Sequence, residues 1–82
     1  MKIIKIGTEC CGPCKMQNKE LDKLTDVEVV KIDADEDEDA VSKYNVRSIP
    51  VVIAMDNDNN EIKRWNGLTK ANVIQSFIDE NK

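Results

Sequence analysis

The sequence predicts an α/β fold in the order βαβαββα, a four-stranded mixed sheet flanked by helices, and three observations lead there. Short β-branched runs alternate with a stretch of helical periodicity in the first half of the chain. The connections between them are short, which implies parallel strands joined by a right-handed crossover. The second half carries a strand, a tight polar turn and another strand, a link short enough to make the pair antiparallel. At 82 residues the chain is expected to form one domain, residues 1–82, around a single modest core.

The first strand is "KIIKI" (Lys2–Ile6) and the second "VEVVKI" (Val27–Ile32), both β-branched and bounded by turn or polar residues. Between them, "CKMQNKELDKL" (Cys14–Leu24) is built of good helix formers, with Cys14, Gln17, Leu21 and Leu24 on one thin apolar face. "DEDAVSKYN" (Asp37–Asn45) opens on acids and has Lys43 near its end, the polarity a helix dipole favours. "IPVVIAM" (Ile49–Met55) is the third strand, entered through Pro50 because proline cannot donate to a ladder. "DNDNN" is a turn and "EIKRW" (Glu61–Trp65) the fourth strand. Gly67 breaks it, Thr69 is placed to N-cap the last helix, and Val73, Ile74, Phe77 and Ile78 give that helix its apolar stripe.

Composition removes several functions. The chain has no histidine, so imidazole catalysis is excluded, and its net charge of -4 disfavours nonspecific binding to nucleic acid, which needs clustered Lys and Arg. The opening "MKIIKIGTEC" is too short for a signal-peptide core and lacks a small-residue cleavage site. No run approaches the ~20 apolar residues that span a bilayer, and the expectation is a cytoplasmic monomer away from membranes.

All three cysteines, Cys10, Cys11 and Cys14, fall in "TECCGPCKM". Structural disulfides are rare in the cytoplasm, and a bridge here would close too small a loop to stabilise much, so the cysteines are read as chemical. Cys11 and Cys14, at i and i+3, face each other across a first helical turn, whereas bridging adjacent Cys10 and Cys11 would strain the peptide between them. Pro13 suits that turn and Gly12 lets the backbone fold tightly. Cys11 then sits at the positive end of the helix dipole, which favours thiolate and makes it the expected nucleophile.

"CGPCK", with "SIP" further on and "GLTK" near the end, resembles the thioredoxin family over nearly the whole chain, in a short, glutaredoxin-sized form without the extra N-terminal strand and helix. The resemblance implies strand order 2-1-3-4 and a cis bond before Pro50, lying against the cysteines. It also implies a substrate groove on Cys10, Ala34, Ser48, Ile49, Pro50, Gly67 and Leu68. The implied activity is thiol-disulfide exchange on protein disulfides, with Cys14 as resolving thiol, a redox-active Cys11–Cys14 disulfide and no bound cofactor. Implied partners are an NADPH-dependent flavoenzyme, thioredoxin reductase, and disulfide-bearing clients, with ribonucleotide reductase one by analogy.

The chain departs from that pattern at three places. Thioredoxins carry Trp before the first active cysteine, where Cys10 stands, and often another at the position of Gly7. They also bury an Asp six residues before the nucleophile, where this chain has Lys5. Lys5 has two readings: a cation that favours thiolates or acts as a base, or a surface lysine whose stem snorkels to water. Cys10 is either a site of glutathionylation or dimerisation or a tolerated small residue.

Two rival functions accompany the reductase. A glutaredoxin-like, glutathione-dependent reductase suits the size and the missing Asp, but "WNGLT" supplies only one glycine where a Gly-Gly-Asp seat is expected. A metal or iron-sulfur carrier would have to work with three crowded thiols and no histidine, so no metal site is assigned. "DADEDED" (Asp33–Asp39) fails as a calcium loop, since Glu38 and Tyr44 stand where Gly and Glu are needed, and reads as a solvated helix start. Trp65 reads as packing rather than binding.

Overall fold

The computed structural model describes residues 1–9 and 11–81. Its elements are β1 (Lys2–Gly7), α1 (Gly12–Leu21), β2 (Glu28–Asp33), α2 (Glu38–Lys43), β3 (Val51–Met55), β4 (Glu61–Asn66) and α3 (Ala71–Glu80). The four strands form one sheet in the order β2-β1-β3-β4. β1 runs parallel to β2 and antiparallel to β3, and β3 antiparallel to β4, so the sheet is mixed as expected.

Alternation along the strands divides the core in two. Ile3, Val52 and Ala54 face one way and pack with Leu21 of α1 and with Ile74 and Ile78 of α3. Ile4, Ile6, Val51, Ile53 and Met55 face the other way, closed by Val30, Ile32, Tyr44 and Val46. Trp65 belongs to the first cluster and meets Phe77 edge-on, with ring centroids 5.4 Å apart, which is a packing role.

β1, β2, α2 and β4 differ from the sequence reading by one or two residues at their ends, and three differences have a clear physical cause. α1 begins at Gly12 rather than Cys14, because the Cys11 sulfur caps it, and ends at Leu21, leaving Leu24 to pack from the loop. β3 begins at Val51, one residue beyond Pro50, whose ring nitrogen has no hydrogen to give the ladder. Thr69 does not cap α3: the N-cap is Lys70, without a side-chain bond, and the hydroxyl of Thr69 donates instead to the Gly67 carbonyl. A distant residue does the capping, as Glu20 of α1 accepts the Ala71 amide at 2.9 Å.

The two helices on that face are also tied by side-chain amides. Gln17, fully buried on α1, accepts the Thr69 amide at 2.7 Å and donates to the Thr69 carbonyl at 2.9 Å. Gln75 of α3 answers with the Thr25 amide at 3.0 Å and the Thr25 carbonyl at 3.4 Å. Each glutamine satisfies the backbone N–H and C=O of one residue next to the other helix. The acidic run behaves as a helix start: Asp37 caps α2 by accepting the Ala40 amide at 3.0 Å, and Glu38 and Asp39 fill its first turn. In the β3–β4 turn Asp56 accepts the amides of Asp58 and Asn60, both at 2.9 Å.

Candidate active site

The chain leaves β1 at Gly7 and enters α1 at Gly12, and the loop between them carries Cys11. Cys11 is the N-cap of α1, in extended backbone conformation, and its sulfur accepts the Cys14 amide at 3.3 Å. Gly12 and Pro13 are the first helical residues, both exposed, with the proline where a helix has no use for an N–H. Cys11 is half-buried and Cys14 fully buried, and both are free thiols. Burial and the hydrogen bond with the Cys11 side chain push the Cys14 thiol up, against a backbone hydrogen bond from Thr8 and the charge of Lys5, which pull it down.

Gly7 is the reason the buried thiol fits. A Cβ on this residue would lie 2.6 Å from the Cys14 sulfur and 3.0 Å from the Lys5 ammonium nitrogen, so only glycine lets helix and strand approach this closely. Lys5 itself lies on the face of β1 that carries Ile3 and is 5% exposed, its stem buried and its tip at the cavity beside Gly7. Its strand register places it between Val52 on β3 and Lys31 on β2. Beside it opens a cavity of about 580 Å³, which Thr8, Lys15, Asn18, Lys31 and Asp33 also line.

Topology gathers the other expected residues at the same end of the sheet. Because β1 and β3 are antiparallel, with Ile6 opposite Val51, the C-terminal end of β1 meets the N-terminal end of β3, where Pro50 is buried and the Ile49–Pro50 bond is cis. Val51 also faces Asn66 at the end of β4, and the Gly67 amide donates to the Pro50 carbonyl at 2.8 Å, with Gly67 at φ +84. Ala34, just past β2, donates its amide to the Gly7 carbonyl at 2.7 Å. Ile49 and Leu68 are 37% and 38% exposed, and Ser48 is exposed beside them. Arg64 of β4 donates to the carbonyls of Tyr44 and Asn45 and so pins the chain that leads into Ser48. Cys10, the remaining residue expected in the groove, lies outside the described residues.

Sequence reasoning missed Gln17, Glu20 and Gly7. Gln17 falls on the inner face of its helix, and a polar residue at such a position is the signal that a partner waits for it. The glycine ending a strand before a Cys-Gly-Pro-Cys run was the other available clue.

A half-buried thiol and a fully buried thiol on one helical turn, at one end of a mixed sheet, define a dithiol-disulfide exchange protein. Residues 1–80 match the thioredoxin family. The chain is 32% identical over 84 residues to a thioredoxin of Pseudomonas aeruginosa, covering 96% of this chain and 77% of that one. It is 30% identical over 76 residues to a thioredoxin of Bacillus subtilis, covering 87% and 72%. Among solved structures, thioredoxin-2 of the malaria parasite superposes with a TM-score of 0.89 at 25% identity, over 96% of this chain and 81% of that one. The chain belongs to the thioredoxin family and is a thiol-disulfide oxidoreductase that reduces protein disulfides.

Proposed function

We propose that Cys11 attacks client disulfides and Cys14 resolves the product, with electrons supplied by NADPH through a thioredoxin reductase in the cytoplasm. The observation that carries this is the unequal burial of two thiols joined through one helical turn. Cys11 thiolate attacks one client sulfur, the client disulfide breaks, and a Cys11–client bond forms while the other client sulfur leaves as thiolate. Cys14, once deprotonated, attacks the Cys11 sulfur, which closes the Cys11–Cys14 disulfide and releases the second client thiol. Two electrons have passed to the client, and no bound cofactor takes part.

The groove reading gives the client a place. Ile49 and Leu68 offer apolar contact, and the exposed backbone from Ser48 to Ile49, just before the cis proline, is free to pair with an extended client segment. Clients are then disulfides in accessible, extended stretches, a class to which ribonucleotide reductase belongs by family analogy.

The test is insulin reduction with two electron sources. NADPH with thioredoxin reductase should drive turnover, while glutathione with glutathione reductase should support little. The Cys14→Ser variant should trap mixed disulfides with client proteins. Efficient turnover on glutathione, or a Cys14→Ser variant still active on glutathionylated substrates, would move the protein to the glutaredoxin class. Alkylation of the reduced protein at mildly acidic pH should mark Cys11 before Cys14, and the reverse order would exchange their roles.

A further inference from the structure

Lys5 is 5% exposed and lines the cavity, with no hydrogen bond or ion pair to another described residue. The neighbouring Lys31 differs, since Asp22 accepts from it at 2.8 Å. The Lys5 stem is buried and its tip is at the cavity, and a straight apolar side chain would fill the same space, so the charge needs a reason. What Lys5 does face is the sulfur of Cys14: both groups flank the same empty Cβ position of Gly7, at 3.0 and 2.6 Å.

The resolving step needs a negative charge at that sulfur. Cys14 is fully buried, and burial disfavours a thiolate and would stall the mixed disulfide. The charged groups around the adjoining cavity are Lys5 on β1, Glu9 in the loop, Lys15 on α1, and Lys31 and Asp33 on β2, while β3 places apolar Val52 opposite Lys5. Of these, Lys5 is the one that also borders the Cys14 sulfur at Gly7. Asn18, on the same wall, holds a buried side-chain oxygen without a hydrogen-bond partner among the described residues, so the cavity is polar enough for solvent.

We propose that Lys5 is the positioning residue of the resolving step, its fixed positive charge holding Cys14 as a thiolate when the Cys11–client disulfide has formed. The proposal rests on the exchange reading above. Lys5 keeps its proton throughout. The Cys14 proton leaves to solvent through the cavity, the Cys14 thiolate attacks Cys11, the Cys11–Cys14 bond forms as the Cys11–client bond breaks, and the departing client thiolate takes up a proton from solvent. Electrons and protons balance without a further reagent. The arrangement supplies a counter-charge at a place where a carboxylate would supply a proton acceptor.

A symmetric aromatic disulfide, dithiobis(nitrobenzoate), separates the two steps in a Cys10→Ser background, because attack by Cys11 releases one coloured thiolate and resolution by Cys14 the second. Lys5→Met should slow the second release about tenfold at pH 7 and move its pH midpoint up by about one unit, the size expected of a lost neighbouring charge. Lys5→Arg should restore the second release to within about threefold of the parent. Met keeps the volume of the lysine stem, and melting curves of variant and parent measured side by side separate a slow second release from unfolding. A second release with an unmoved pH midpoint in Lys5→Met, or both releases slowed alike, would overturn the role of Lys5. Failure of the first release in the parent protein would instead count against the exchange reading.

Discussion

The two faces of the sheet are built differently. On one face Ile4, Ile6, Val51, Ile53 and Met55 pack with their β2 neighbours Val30 and Ile32 and with Tyr44 and Val46 from the chain after α2, in a core without buried polar side chains among the described residues. The face under α1 and α3 has a comparable apolar cluster but also buries Lys5 and Gln17, and it carries the thiols. Chemistry therefore sits on the face that gives up apolar area for polar groups, and the core of that face depends on buried hydrogen bonds where the core of the other depends on packing volume. Polar partners must be met in position, whereas apolar neighbours only need to fill space.

That comparison can be broken from the apolar side first. Ile53→Ala should lower stability by about 2–5 kcal/mol in denaturant titration, the range for truncating a fully buried isoleucine, while the exchange rate per folded molecule holds. A change in that rate larger than the loss of folded protein would show that the faces are not separable. Gln17→Ala should cost about 2–3 kcal/mol, because the Thr69 amide and carbonyl lose their partners, and should also slow insulin reduction by loosening the Gly67–Leu68 segment. Gln17→Leu, which keeps the volume, should rescue little of either.

Smaller effects sharpen the same contrast. Gly7→Ala forces a methyl to within 2.6 Å of the Cys14 sulfur and should cost about 1–3 kcal/mol, with alkylation of Cys14 becoming easier as α1 is pushed outward. Glu20 gives the mildest test. Its carboxyl is held below the usual range by the Ala71 amide first and by the Lys23 ammonium second. A lowered folded value means the contribution is complete above the ~4.3 of a free glutamate and is lost as pH falls through the folded value. Glu20→Gln should remove that acid-side dependence and lower the melting temperature by a few degrees at neutral pH. A variant with the same pH profile as the parent would show that the α3 cap draws nothing from charge.

Much of this was legible in the chain because it is local. Strand and helix periods, the proline before β3, the glycine at Gly67 and the acids of α2 each act within a few residues, and all seven elements follow from them in order. The helix starts were less so. α1 begins at Gly12 because a cysteine sulfur serves as its cap, a role ordinarily taken by an oxygen, and α3 is capped by Glu20, 51 residues away in the chain. No local pattern announces a cap delivered from another helix.

The sequence by itself determined the element order, the alternation that splits the core, and the dithiol at the start of α1, since periodicity and spacing are properties of neighbours along the chain. Tertiary structure alone decided which face Lys5 occupies, that Gly7 makes room for the Cys14 sulfur, and that Gln17 meets Thr69. In a strand one step of register carries a side chain to the opposite face, and register is set by pairing with distant strands. Lys5 came to lie beside a thiol only when β1 settled between β2 and β3 with Ile3 on the inner face of α1 and α3.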